Sequence, residues 1–204
     1  MTTAAARLVL ATANESKLTE LARILADEHA DVALASLSEF SGAPDVAETG
    51  ATFAENALLK ARAIAAFTGL ATVADDSGLC VDALNGMPGV LSARWSGRHG
   101  DDAANLHLVL AQVAEVPDER LGARFTCAAA LVTPGDAEYV CEGVVTGRLI
   151  REPRGSNGFG YDPIFVPDGY DITTAEMDAA DKDKISHRGR ALRALAHEIR
   201  RSVR

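Results

Sequence analysis

The chain has 204 residues, 48% of them hydrophobic and 24% charged, with a formal net charge of −9. That length supports one full-sized core or two small lobes, and the acidic total excludes nucleic-acid binding through a broadly basic surface. An anionic ligand must therefore be held by a local concentration of cations.

Residues 8–11 form a short apolar run, read as a buried strand. The polar stretch Thr12-Ala13-Asn14-Glu15-Ser16-Lys17 follows, and then Leu18, Leu21, Ala22 and Leu25 recur at helical spacing. At a strand-to-helix junction, free backbone N–H groups and the helix dipole make an anion site. Lys17, in the first helical turn, has the wrong sign for that dipole. A phosphate held there would account for it, as would a solvated lysine beside an Asn14 or Ser16 cap. The loop lacks the glycines and the Gly-Lys-Ser/Thr ending of a Walker loop.

Residues 32–37 read as a second strand, and residues 38–49 as a loop carrying Glu39, Asp45 and Glu48. Thr52-Phe53-Ala54-Glu55 fits a capping box that opens a helix to residue 67, closed by Gly69. Lys60 shares an apolar face with Phe53, Ala57 and Ile64, so it either snorkels to solvent or points a second cation into a cleft. Then comes Val73-Ala74-Asp75-Asp76-Ser77-Gly78. Two adjacent carboxylates stand where an apolar strand is expected to break into a turn, a place that suits either an Asp-Ser-Gly turn or paired, metal-binding charge.

Residues 82–89 are turn-rich, and Arg94 beside the lone Trp95 reads as a cation–π pair or part of an anion site. A helix starts at Asp101, with Leu106, Val109, Leu110 and Val113 on its apolar side. Residues 124–132 and 138–145 are strands flanking Thr133-Pro134-Gly135-Asp136, a hairpin. A β-α-β start and an antiparallel middle predict an α/β fold. It would be an elongated mixed β-sheet with surrounding helices in two lobes around a central cleft, and residues 1–204 forming one inseparable domain.

In Gly155-Ser156-Asn157-Gly158-Phe159-Gly160-Tyr161-Asp162-Pro163 the glycines permit close backbone approach to a ligand. Phe159 and Tyr161 offer flat faces for stacking, and Asp162 can accept hydrogen bonds from a base edge; the alternative is a loop whose aromatics cover the core. Lys182, Lys184, His187, Arg188 and Arg190 gather just before and within a last helix from about residue 186 to 203. They supply the local cations that an anionic ligand needs, although a solvated helix start would look the same. Cys80, Cys127 and Cys141 have no zinc spacing and read as reduced core thiols. With no signal peptide and no apolar run near the ~18 residues of a membrane span, a soluble cytoplasmic protein is expected.

Taken together, cations at Lys17 and Lys60, carboxylates at Glu48, Asp75 and Asp76, an aromatic Gly loop and a His-Arg pair describe a nucleotide phosphate site. Hard oxygen ligands with few His or Cys partners point to Mg²⁺ rather than zinc.

Six stretches carry a resemblance: Thr12-x-Asn14-x-x-Lys17, Glu48-Thr49-Gly50, Phe53-x-Glu55-Asn56-Ala57-x-x-Lys60-Ala61, Ala74-Asp75-Asp76-Ser77-Gly78-Leu79, Gly158-Phe159-Gly160-Tyr161-Asp162-Pro163 and Ser186-His187-Arg188-Gly189. In this order, across nearly the whole chain, they resemble the inosine triphosphate pyrophosphatase family. The resemblance implies two lobes with a cleft, a homodimer, and Mg²⁺-dependent hydrolysis of ITP, dITP and XTP to monophosphate and pyrophosphate. By the same resemblance Thr12, Ala13, Asn14, Glu15, Ser16, Lys17 and Lys60 would hold the triphosphate, and Glu48 and Asp76 the metal. Asp76 would be the catalytic proton acceptor and Ser77 would touch substrate. Phe159, Gly160, Tyr161, Asp162, Lys182, His187 and Arg188 would bind the base and sugar side. Neighbours on a strand face opposite sides, which leaves Asp75 in support. Competing readings are a nucleotide sensor that does not hydrolyse and a related pyrophosphatase acting on other modified nucleotides.

Overall fold

A computed structural model describes residues 6–12, 15–30 and 32–203. Its strands are β1 (Ala6–Leu10), β2 (Val32–Ser36), β3 (Ala71–Val81), β4 (Gly122–Val132), β5 (Glu138–Leu149) and β6 (Phe165–Pro167). Its α-helices are α1 (Glu15–Asp27), α2 (Phe53–Thr68), α3 (Asp102–Gln112), α4 (Ala179–Ile185) and α5 (His187–Ser202). The strands form one sheet in the order β2-β1-β3-β4-β5-β6. β1 runs parallel to both β2 and β3, with Leu8 opposite Leu34 and Ala71. Parallel neighbours need a long crossover, which α1 and α2 provide. β5 and β6 are antiparallel, with Leu149 opposite Phe165, so the sheet is mixed as the sequence predicts.

The chain divides into two compact units. The first comprises Met1–Asp76, Cys127–Gly143 and Arg188–Arg204; the second comprises Ser77–Thr126 and Val144–His187. In the first, Leu8, Leu10, Val73, Cys127, Ala129 and Leu131 of the sheet pack on Leu21 and Leu25 of α1 and on Leu192, Leu195 and Ile199 of α5. On the other face, Ala74, Ala128 and Ala130 meet Ala57, Ala61 and Ala65 of α2. These small side chains let the helix lie close to the strands. Val73 and Ala74 thus face different helices, as strand alternation requires. The second unit has its own core, in which Leu79, Val81, Leu106, Val109, Phe125, Tyr161, Ile164 and Phe165 are buried together.

Helix α2 starts where its cap dictates. Thr52 is extended and its side chain accepts the Glu55 N–H at 3.1 Å, while Gly69 closes the helix with φ 68°. The other half of the expected box closes one residue earlier, since the Glu55 carboxylate accepts from Ala51 N at 2.6 Å. Thr52→Ala should destabilise the protein by about 1 kcal/mol, measured by urea denaturation.

Two expectations are revised and one element is new. The Asp-Asp-Ser-Gly stretch is not a turn: β3 continues without a break to Val81. Gly78 serves packing instead, because a Cβ there would collide with the Ser92 side chain and the Gly89 carbonyl. The last helix is α5, within the expected bounds; the short α4 before it, set off by Ser186 in an extended conformation, is the addition. Finally, β5 runs to Leu149, beyond the expected residue 145. The three thiols are free, and among the described residues no helix is long and apolar enough to cross a membrane.

Candidate active site

Strand β3 carries Asp75 and Asp76 to opposite faces of the sheet, and each meets its own partners. Asp75 lies on the α1 and α5 side. Lys17 Nζ, in the first turn of α1, donates to both of its carboxylate oxygens at 3.0 and 2.9 Å. Arg188 Nε, from the start of α5, donates to Oδ2 at 3.2 Å, and its guanidinium lies 3.8 Å from Glu20. Burial alone would raise the Asp75 pKa, but Lys17 and then Arg188 outweigh it and hold the carboxyl well below the ordinary range. Burial likewise works against the Arg188 charge, but Asp75, joined by Cys127 and Glu20, outweighs it and raises the guanidinium pKa. The Asp75 carboxylate thus offsets the unfavourable place of Lys17 in the helix dipole, while the lysine side chain stays 23% exposed.

Asp76 lies on the α2 side with 8% of its surface exposed. Asn56 Nδ2 donates to its Oδ2 at 2.9 Å. Lys60 Nζ lies 3.8 Å from its Oδ1 and donates to Glu48 at 2.7 Å. Lys60 therefore does not snorkel to solvent; its side chain is only 18% exposed, and its ammonium sits between two carboxylates. That pair, sharing one cation, is a donor set of the kind Mg²⁺ uses. No group of three or more His, Cys, Asp or Glu side chains is placed to hold a metal among the described residues. Mg²⁺ tolerates this, because it commonly takes one or two carboxylates and completes its shell with substrate phosphates and water.

The remaining phosphate-loop residues are placed unevenly. Thr12 follows the bend at Ala11 after β1, its N–H donating to Leu10 O at 2.8 Å. Ala13 and Asn14 lie outside the described residues. Glu15 and Ser16 open α1, but their side chains also lie outside the description. Ser77 follows Asp76 on β3 and is half-buried.

Within the second unit, the Gly loop is built around Asp162. Its carboxylate, 4% exposed, accepts from Phe159 N at 2.9 Å, Lys182 Nζ at 2.5 Å and Thr174 Oγ1 at 2.8 Å. Gly158 has φ 75°, and a side chain there would run into the Asp162 carboxylate and Lys182 Nζ. This clamp leaves the Phe159 ring 62% exposed, with Lys182 Nζ 5.5 Å from its centroid. Of the two readings open for the aromatics of this loop, Tyr161 takes the second. Its ring is buried in the core at 4% exposure and its hydroxyl donates to Ser92 O at 2.8 Å, so of these two aromatics Phe159 is the one that presents a face. Gly160 N donates to Asp102 of α3 at 2.8 Å. His187 stacks on Phe125, with ring centroids 5.0 Å apart and planes 12° from parallel. A cavity of about 290 Å³ is lined by Asp102, Leu106, His107, Asn157, Phe159 and Pro163, among others. Its volume is at the small end for ligand pockets, suited to a ring system and not to a whole nucleotide.

Sequence reasoning assigned no role to Asn56, Glu20 or Asp102. Asn56 had a usable signal: a polar side chain beside Ala57 on the buried face of a helix must find partners inside the protein.

The Ham1 family model matches residues 8–198. A protein of Streptomyces coelicolor named dITP/XTP pyrophosphatase is 58% identical over 194 residues, covering 95% of this chain and 97% of that protein. One of the same name from Nocardia farcinica is 61% identical over 191 residues, 93% of each chain. Among solved structures, the nucleoside-triphosphatase / dITP/XTP pyrophosphatase of Mycobacterium abscessus superposes with a TM-score of 0.80 at 58% identity, covering 93% of this chain and 97% of that one. A HAM1 protein from Coxiella burnetii gives a TM-score of 0.89 at 44% identity, covering 97% and 100%.

Proposed function

Because this chain belongs to the Ham1 family, we propose that it hydrolyses the non-standard purine triphosphates ITP, dITP and XTP to monophosphate and pyrophosphate, with Mg²⁺ as cofactor. The observation that carries this reading is the setting of Asp76. A nearly buried carboxylate is held by an amide donor on one oxygen and faces a lysine shared with Glu48 on the other. Binding a nucleotide without turnover would not require that acceptor beside the phosphate cations.

In the reaction, water attacks the α-phosphorus. As the new P–O bond forms, Asp76 accepts a proton from that water. The bond from the α-phosphorus to the α,β-bridging oxygen breaks, and its electron pair leaves with pyrophosphate. Thr12 to Lys17 and Lys60 hold the triphosphate, opposing the charge that spreads over the phosphate oxygens. Glu48 and Asp76 would hold Mg²⁺, which supplies charge neutralisation and alignment of the phosphates when bound.

Phe159 offers the stacking face for the purine, and Gly160, Lys182, His187 and Arg188 complete the base and sugar side, with Ser77 as a further substrate contact. The buried Tyr161 and Asp162 hold this loop in place from within. Donors to a 6-oxo group would reject adenine, whose 6-amino group leaves them unpaired. Phe159→Ala should raise KM for ITP by roughly 5- to 150-fold, the equivalent of the 1–3 kcal/mol that base stacking contributes. Its melting temperature should hardly move, because the ring is already largely exposed; initial rates and a thermal melt check both parts.

The reading is tested by pyrophosphate release from ITP, dITP and XTP against ATP, GTP and dTTP, with and without Mg²⁺. Fast, Mg²⁺-dependent release from the first three supports it. Equal rates across all six would keep the chemistry and discard the base recognition. No release, with inosine nucleotide still bound, would make the protein a sensor. We further propose a cytoplasmic homodimer acting as one domain. A monomer of 21.4 kDa in sedimentation would exclude the dimer, and two separate calorimetric transitions would exclude the single domain.

A further inference from the structure

We propose that Asn56 is a positioning residue for hydrolysis, tying the proton acceptor Asp76 to the loop that carries Glu48 through one buried amide. The inference rests on the reading of Asp76 as proton acceptor. Asn56 has 0% exposure. Its Oδ1 accepts the Gly50 N–H at 2.7 Å and its Nδ2 donates to Asp76 Oδ2 at 2.9 Å. A backbone N–H can only donate, so the atom facing Gly50 is the amide oxygen, and the nitrogen necessarily faces the carboxylate. Both ends of the amide therefore have one possible orientation. With no exposure, water cannot replace either contact.

The backbone on the far side is shaped for this amide. A Cβ on Gly50 would lie 2.8 Å from Asn56 Oδ1 and 2.7 Å from Glu55 Cβ, closer than real side chains approach. Only glycine lets the main chain, two residues beyond Glu48, come near enough to donate. At the other end, the donor to Oδ2 sets the plane of the carboxylate and leaves Oδ1 on the side of Lys60. A packing role alone would suit an apolar side chain here, since Ala57 and Ala61 of the same helix are buried on this face.

The test is a double-mutant cycle of Asn56→Ala and Asp76→Asn, reading kcat and KM on ITP and the Kd of a non-hydrolysable α,β-methylene ITP. A residue acting through Asp76 should lower kcat on the order of 100-fold, the scale of a small misplacement of a reacting group. KM and Kd should stay within about threefold, and in the Asp76→Asn background the further loss should fall below about threefold. Asn56→Ser, whose shorter side chain has one oxygen and cannot fill both amide positions, is read in the same way and guards against an Ala variant that does not fold. Undiminished kcat, a change confined to KM, or a full multiplicative loss on top of Asp76→Asn would each overturn the inference. If Asp76→Asn alone kept its rate, the underlying reading would fall and this inference with it. If Asp76→Asn were inactive while Asn56→Ala turned over normally, only the role of Asn56 would be lost.

Discussion

Asp76→Asn should lower kcat for ITP by about a hundred- to ten-thousand-fold, the contribution of a positioned general base, and leave the melting temperature nearly unchanged. Asparagine has almost the same shape as aspartate, and its carbonyl oxygen can still accept the Asn56 amide donor that now meets Oδ2. Lys60 keeps its bond to Glu48 at 2.7 Å, so the substitution strands no buried charge. What disappears is the group able to take a proton from water. Steady-state rates together with a thermal melt make the comparison, and a variant turning over at the wild-type rate would remove Asp76 from the role of base.

Asp75→Asn should have the opposite signature, with its main effect on stability. Asp75 is the carboxylate on which Lys17 and Arg188 converge, and its side chain is 5% exposed. Removing one partner of a buried ion pair costs about 3–5 kcal/mol. For a chain of this size that is a melting temperature lower by roughly 6–20 °C. The folded-state pKa of Asp75 lies below its unfolded value of 3.8. The unfolded chain therefore takes up the proton first as the solution is acidified. The stability contributed by this carboxylate is fully present above that value and is lost as pH falls below it toward the depressed folded value. Denaturant unfolding at pH 7 and pH 3 should accordingly show a gap between wild type and Asp75→Asn that narrows in acid. A gap of constant size would mean that the pairing with Lys17 and Arg188 does not govern the stability at this position.

Much of this organisation is present in local patterns. Apolar runs and helical spacing place β1, α1 and β2, and Thr52 and Gly69 mark the ends of α2. Alternation along a strand is a local rule, and it alone sends Asp75 and Asp76 to different faces. The cations and carboxylates proposed for the site are likewise readable residue by residue. Tertiary structure decided the pairings. Lys17 and Asp75 are 58 positions apart, and Arg188 and Asp75 are 113 apart. No local pattern can say which charge a distant segment will bring. It also decided that Asp-Asp-Ser-Gly extends a strand: the turn preference of those residues is weak beside pairing within a sheet and the packing of Ser92 against Gly78. Phe159 and Tyr161 are two residues apart in one loop with similar rings, yet one is exposed and the other belongs to the core. Burial depends on what the rest of the chain packs against a ring, and that is a property of the folded protein as a whole.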